Sequence, residues 1–134
     1  MKTAFASMRR FEPYFLGLLR IVTGYTYLLH GSQKLFGIPA SDKPMPELFS
    51  FMGFGGVLEL VLGLMILFGF QTRLAAFLAS GMMAVAYFGF HANMSNFWLP
   101  AVNKGDAAVL YCFIYLYLFS AGAGKWAIDK EPVH

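Results

Sequence analysis

Charge is what this chain has least of. Lys, Arg, Asp and Glu make up 13% of its 134 residues, about half their share in ordinary soluble domains. So few charges cannot cover a water-facing surface, which excludes a conventional soluble globule. Cysteine is nearly absent as well. The single Cys112 lies in an apolar run, which rules out an internal disulfide and a two-thiol redox centre within one chain. No HxxxH, CxxC or CxxCH spacing occurs, so there is no metal signature and no c-type haem attachment. The formal charge of +3 is spread out with no basic block, which argues against nucleic acid as a partner. Soluble domains, internal repeats and low-complexity tracts are also missing.

What is present is apolar: 58% hydrophobic and 18% aromatic residues, with 15 Phe and 8 Met. This composition suits a surface facing lipid and an interior packed by adaptable side chains. A spanning helix needs roughly 20 mostly apolar residues. Four such stretches occur, at about 13–35, 48–70, 73–91 and 106–124. The fold expected is all-α, an integral-membrane four-helix bundle forming one domain over 1–134. Pro13 suits a first helical turn, and Gly37 with Pro39 closes that helix. Ala40 to Pro46 reads as a polar loop, and Gly69 to Arg73 as a tight turn with Thr72 as N-cap. Ala92 to Gly105 reads as an interfacial loop, and Gly122-Ala123-Gly124 ends the fourth helix.

An even number of spans puts both termini on one side. Lys2, Arg9, Arg10, Arg73, Lys125 and Lys130 share that side against Lys34, Lys43 and Lys104 opposite, so the termini are expected to be cytoplasmic. Tyr14 and Trp126 fall at the inner interface and Trp98 at the outer one. Arg20 inside the first apolar run, and the lack of a small-x-small site, argue against a cleaved or twin-arginine signal.

A charge at mid-bilayer costs roughly 2.5–3.5 kcal/mol on insertion scales. Two lie deep here, Arg20 in the first span and Glu59 in the second. Counted from the span ends, their depths differ by roughly 5 Å, which predicts an intramembrane ion pair, either a packing clasp or a functional pair. Gly55, Gly56 and Gly63 flank Glu59 and predict close helix approach. Arg20, Gly24, Tyr27, His30 or Gly31, and Lys34 form a stripe expected to face the bundle.

Opposite chain directions bring His30 and His91 to the outer third of the membrane, where Asn103 and Asp106 also enter. With Gln33, Lys34, Asn93 and Tyr87 they form a candidate ligand-binding cluster, extended inward by Ser80. A quinone head group suits it, having two carbonyls that accept hydrogen bonds and a reduction that consumes protons. The blander reading, histidines bonded to carbonyls at a wet interface, stands beside it. Tyr111, Tyr115 and Tyr117 read as packing and belt residues.

Several strings together resemble the DoxX family of membrane proteins. They are Leu19-Arg20-Ile21-Val22-Thr23-Gly24, His30-Gly31-Ser32-Gln33-Lys34-Leu35-Phe36-Gly37, Gly56-Val57-Leu58-Glu59 with Gly63, Thr72-Arg73-Leu74-Ala75-Ala76, and Met83-Ala84-Val85-Ala86-Tyr87 leading to His91. Asn103-Lys104-Gly105-Asp106-Ala107-Ala108 is similar to the family's Asn-Gly-Gly-Glu-x-Ala element, and Gly122 to Asp129 to its Gly-Pro-Gly-x-Trp-Ser-Leu-Asp tail. Asp106 stands where the family has the longer glutamate, and Lys104 where it has glycine. The resemblance implies four spans in a bacterial cytoplasmic membrane and association with quinone-linked oxidoreductases. It names no catalytic residue. A small proton-coupled transporter built on Glu59, and an anchor or assembly protein without ligand, remain as alternatives. Redox partner and homo-oligomer formation stay open.

Overall fold

The computed structural model describes residues 2–131, with side chains from Ala4 onward. The Lys2 side chain and the ends of the expected 1–134 domain lie outside the described residues. All regular elements among those residues are helical: α1 Lys2–Ala6, a 3-10 turn Ser7–Phe11, α2 Glu12–Phe36, α3 Phe51–Phe68, α4 Thr72–Ala86 continued by a π-helical turn Tyr87–His91, the short α5 Pro100–Asn103, and α6 Asp106–Ala121. Two stretches, Phe51–Phe68 and Thr72–His91, are long and apolar enough to cross a membrane; Asp106–Ala121 is apolar but shorter.

Helix ends follow local chemistry. Pro13 occupies the first turn of α2, where its missing N–H leaves no bond unmade. Gly37 ends the same helix at φ 67°, a left-handed conformation that glycine adopts without steric penalty. Ser50 caps α3 by accepting from the Gly53 amide at 3.1 Å. At its other end Gly69, also left-handed, and Phe70 return their amides to Ile66 and Met65, so α3 closes on a Schellman turn.

The chain divides into two compact units. One comprises residues 1–72 and 123–134, the other residues 73–122. In the first, α2 and α3 pack antiparallel along a glycine seam. A methyl on Gly24 would lie 2.7 Å from the Leu67 nitrogen, and one on Gly63 would lie 2.6 Å from Leu28 Cβ. At Gly31 it would come within 2.6 Å of both the Gly56 carbonyl oxygen and the Leu60 nitrogen. Backbones this close need residues without side chains. Gly56 and Gly63 are buried in this seam, whereas Gly55 is only half-buried.

In the second unit α4 and α6 are joined by Ser80, whose hydroxyl donates to the Cys112 carbonyl at 2.7 Å. Arg73 donates to the Phe119 and Ser120 carbonyls at 3.0 and 2.5 Å. That places a cation on the unpaired acceptors at the end of α6.

The seam makes a stability prediction. Gly63→Ala should destabilise by about 1–3 kcal/mol, because the methyl meets backbone as well as side chain. Gly81→Ala, at a helical position with nothing within 4 Å of the new methyl, should be neutral or stabilising by up to about 1 kcal/mol. Thermal unfolding of both variants in detergent checks the pair; equal melting would contradict the seam.

Candidate functional site

The seam fixes which α2 residue stands opposite each α3 residue. Gly24 meets Leu67, Leu28 meets Gly63, and Gly31 meets Gly56 and Leu60, so Glu59 lies level with the turn containing residue 32. Lys34 is therefore in reach, and its Nζ sits 2.5 Å from Glu59 Oε1. Glu59 is almost wholly enclosed, its side chain 4% exposed, while that of Lys34 is 26% exposed. The second carboxylate oxygen, Oε2, is buried and accepts no hydrogen bond.

This register corrects the expected Arg20–Glu59 pair. Arg20 is roughly twelve residues from the level of Glu59, about 18 Å at 1.5 Å per residue, far beyond an arginine's reach. The expectation treated the two helices as flush at their cytoplasmic ends. They are not: α2 runs about three turns past the end of α3, and Arg20 lies in that overhang.

There the C-terminal segment supplies its partners. Arg20, completely buried, donates Nη1 to the carbonyls of Ala123 at 2.5 Å and Lys125 at 3.0 Å, and Nη2 to that of Trp126 at 2.7 Å. Three peptide carbonyls thus surround one guanidinium, whose planar fork of donors suits such multiple bonding. The segment lies directly on α2. The Lys125 amide bonds the Pro13 carbonyl at 3.0 Å, and a methyl on Gly17 would stand 2.6 Å from the Lys125 oxygen. Tyr14 and Trp126 meet edge to face at 5.7 Å, and Lys125 Nζ lies 5.4 Å above the Tyr14 ring.

The segment then reaches the end of α3 and the start of α4. Ile128 and Asp129 donate their amides to the Phe68 and Gly69 carbonyls at 3.0 and 2.8 Å. Asp129 accepts from the amides of Gln71 at 2.7 Å and Thr72 at 2.8 Å. The capping expected of Thr72 is therefore carried by a residue 57 positions later. Burial pushes the Asp129 carboxyl up. The Thr72 and Gln71 amides, with the nearby positive charge of Arg20, outweigh it and hold the group below the usual carboxylate range. From sequence this tail has a helix end at Gly122-Ala123-Gly124 and an interfacial Trp126, but no capping role. Its physical signal for capping was an acid five residues beyond Gly124.

The remaining expected site residues have definite places. In the first unit His30 is exposed on α2, and Gln33 Nε2 approaches the Ala40 carbonyl at 3.5 Å. In the second, Tyr87 and Asn103 do come together: Asn103 Nδ2 donates to the Tyr87 hydroxyl at 3.0 Å and to the Asn96 carbonyl at 3.1 Å. Tyr87 in turn donates to the Phe97 carbonyl, and Asn103 Oδ1 accepts the Gly105 amide at 2.8 Å. These bonds latch the 92–105 loop to the end of the π-helical turn. His91 ends that turn, half-buried, and Asp106 is exposed in the first turn of α6. Ser80, expected to extend the cluster, is used between helices. No group of three or more metal-ligating side chains occurs among the described residues.

The Arg20 clasp predicts that Arg20→Met strips buried carbonyls of their donors, at about 1–3 kcal/mol per group left unsatisfied. Loss of protection from proteolysis in residues 123–131, together with a lower melting temperature, would check it. The lowered Asp129 carboxyl contributes stability above the unfolded value near pH 3.9, and that contribution disappears as pH falls through the folded value. Asp129→Asn should therefore flatten the acid limb of the melting profile below about pH 4, where the unfolded carboxyl begins to take up its proton before the folded one.

Comparison with known proteins bears on what this architecture is. The family model DoxX matches residues 15–92, which takes in α2, α3 and α4 through the π-helical turn. The chain is also 37% identical to an uncharacterized protein of Haemophilus influenzae over 134 aligned residues, 93% of this chain and 96% of the relative. No solved structure matches. With more than half of its length matched by the family model, and a full-length relative at this identity, the chain belongs to the DoxX family.

Proposed function

We propose that this protein is a multi-pass subunit of the bacterial cytoplasmic membrane, with four spanning helices and cytoplasmic termini, and that it offers an intramembrane polar site to a quinone-linked oxidoreductase. The observation that carries this reading is the Lys34–Glu59 pair. A carboxylate almost fully enclosed between two helices is expensive in hydrocarbon and is retained where it binds or moves something. Lys34 supplies N–H donors for a ligand carbonyl. His30, one turn earlier on α2, is exposed and adds a titratable group. Membership of the DoxX family supports the membrane setting. The quinone assignment rests on the resemblance set out above and on this donor chemistry.

One observation favours a second reading. Glu59 has a lysine partner rather than an arginine, and an arginine, always charged, would hold the carboxylate ionised. A lysine is a point charge on a flexible stem that can swing away from the carboxylate, which suits a proton-coupled transporter as the second reading.

Binding of a short-chain benzoquinone to purified protein in nanodiscs tests the first reading. Lys34→Met should weaken it at least about tenfold, the worth of one hydrogen bond to a charged donor. His91→Ala and Asp106→Asn test whether those residues contribute. Absence of quinone binding to the wild type, combined with proton-driven uptake or efflux in proteoliposomes that Glu59→Gln abolishes, would replace this reading with the transporter.

A further inference from the structure

Glu59 and Lys34 present an asymmetric pair of functions to any ligand. The lysine ammonium has three N–H donors, and the carboxylate takes one of them at Oε1. Lys34 is partly exposed, so donors remain on the accessible side of the pair. Glu59 Oε2 accepts nothing, although it is buried and on an ionised group has acceptor capacity only. Leaving a charged acceptor unsatisfied in an apolar span costs more than leaving a neutral one. Gly31, Gly56 and Leu60 contribute backbone along the seam, and those α2 and α3 backbone donors belong to their own helices.

A ligand that relieves Oε2 must therefore bring its own donor. A hydroxyl does this while still using the lysine: its O–H donates to Oε2 as its oxygen accepts from Nζ. A carbonyl oxygen uses the lysine alone and leaves Oε2 as it was. The flexible four-carbon stem of Lys34, whose Cβ and Cδ lie against Gly56, is what must shift to admit the group.

We propose that the Lys34–Glu59 pair is a hydroxyl-recognising site, and that its ligand is the reduced, phenolic form of the redox carrier rather than the oxidised, dicarbonyl form. This rests on the quinone reading above and deepens it. It assigns Glu59 as the acceptor that distinguishes hydroquinone from quinone, and Lys34 as the donor common to both. No bond is made or broken in this recognition; a phenolic O–H is shared with a carboxylate.

The test is a direct comparison of affinities in nanodiscs, using 2,6-dimethylhydroquinone under reducing conditions and 2,6-dimethylbenzoquinone under oxidising ones. The wild type should favour the hydroquinone by about tenfold or more, as expected for an added charge-assisted hydrogen bond. Glu59→Gln replaces an acceptor-only group with one that also donates, and should erase or reverse the preference. Infrared difference spectra of the wild type give a second readout that needs no variant to fold: hydroquinone should shift the carboxylate stretches, and quinone should leave them. Equal wild-type affinity for the two forms with no carboxylate shift overturns this inference and leaves the quinone reading intact. Binding of neither form removes the quinone reading itself.

Discussion

An ion inside an apolar span has to be answered by a partner at its own level, and the α2–α3 seam decides which partner that is. Because Gly24, Gly31, Gly56 and Gly63 allow the helices to touch backbone to backbone, the seam tolerates little sliding. A shift of one turn would drive Leu28 off Gly63 and Lys34 off Gly56, out of the space that only glycine leaves open. With this register Glu59 falls to Lys34, and Arg20 is left beyond the end of α3, where that helix offers it no acid. The sequence puts both charges in helical, largely apolar stretches; the glycines settle how they are neutralised.

Arg20 then becomes the reason the C-terminal segment folds back. Peptide carbonyls at a chain turn are orphan acceptors, and a buried guanidinium is a set of orphan donors; each needs the other. Once Ala123, Lys125 and Trp126 are gathered on Arg20, the next few residues are delivered to the end of α3. Asp129 arrives beside the Gln71 and Thr72 amides. Its negative charge both caps the start of α4 and offsets the arginine, so one cluster completes the end of one helix and the beginning of another.

Helical periodicity and hydropathy made the four longer helices legible, with ends within a few residues of those observed, because local signals such as Pro13, Gly37, Gly69 and Gly122 mark them; the short helical pieces Lys2–Ala6, Ser7–Phe11 and Pro100–Asn103 were not expected. The glycine seam was legible for the same reason. Partner choice was not. The relative offset of two helices depends on the length actually taken up by the 37–50 loop and on where α3 begins, and span lengths alone suggest flush ends. Capping by Asp129 was invisible because it spans 57 residues, and nothing local announces it. Tyr87 and Asn103 were grouped correctly, but as ligand-binding candidates; the structure engages both in holding the 92–105 loop.

The identity of the cation beside Glu59 has chemical consequences that the expected pairing would have concealed. An arginine there would satisfy both carboxylate oxygens with a rigid fork, and the acid would be a structural clasp, finished and inert. A lysine contributes a point charge on a flexible stem. It satisfies one oxygen, Oε1, and leaves Oε2 with unused acceptor capacity. Arg20 meanwhile gives both Nη atoms to backbone carbonyls, although its buried Nε has no partner, and Asp129 takes backbone amides, so the clasp role resides at the tail end of the unit. The unsatisfied acceptor resides at Glu59, where one side chain of the pair is enclosed and the other open enough to move. Of the two buried charges, only the acid has a partner side chain open enough to move, and that difference is why the proposed ligand chemistry is placed at Lys34 and Glu59.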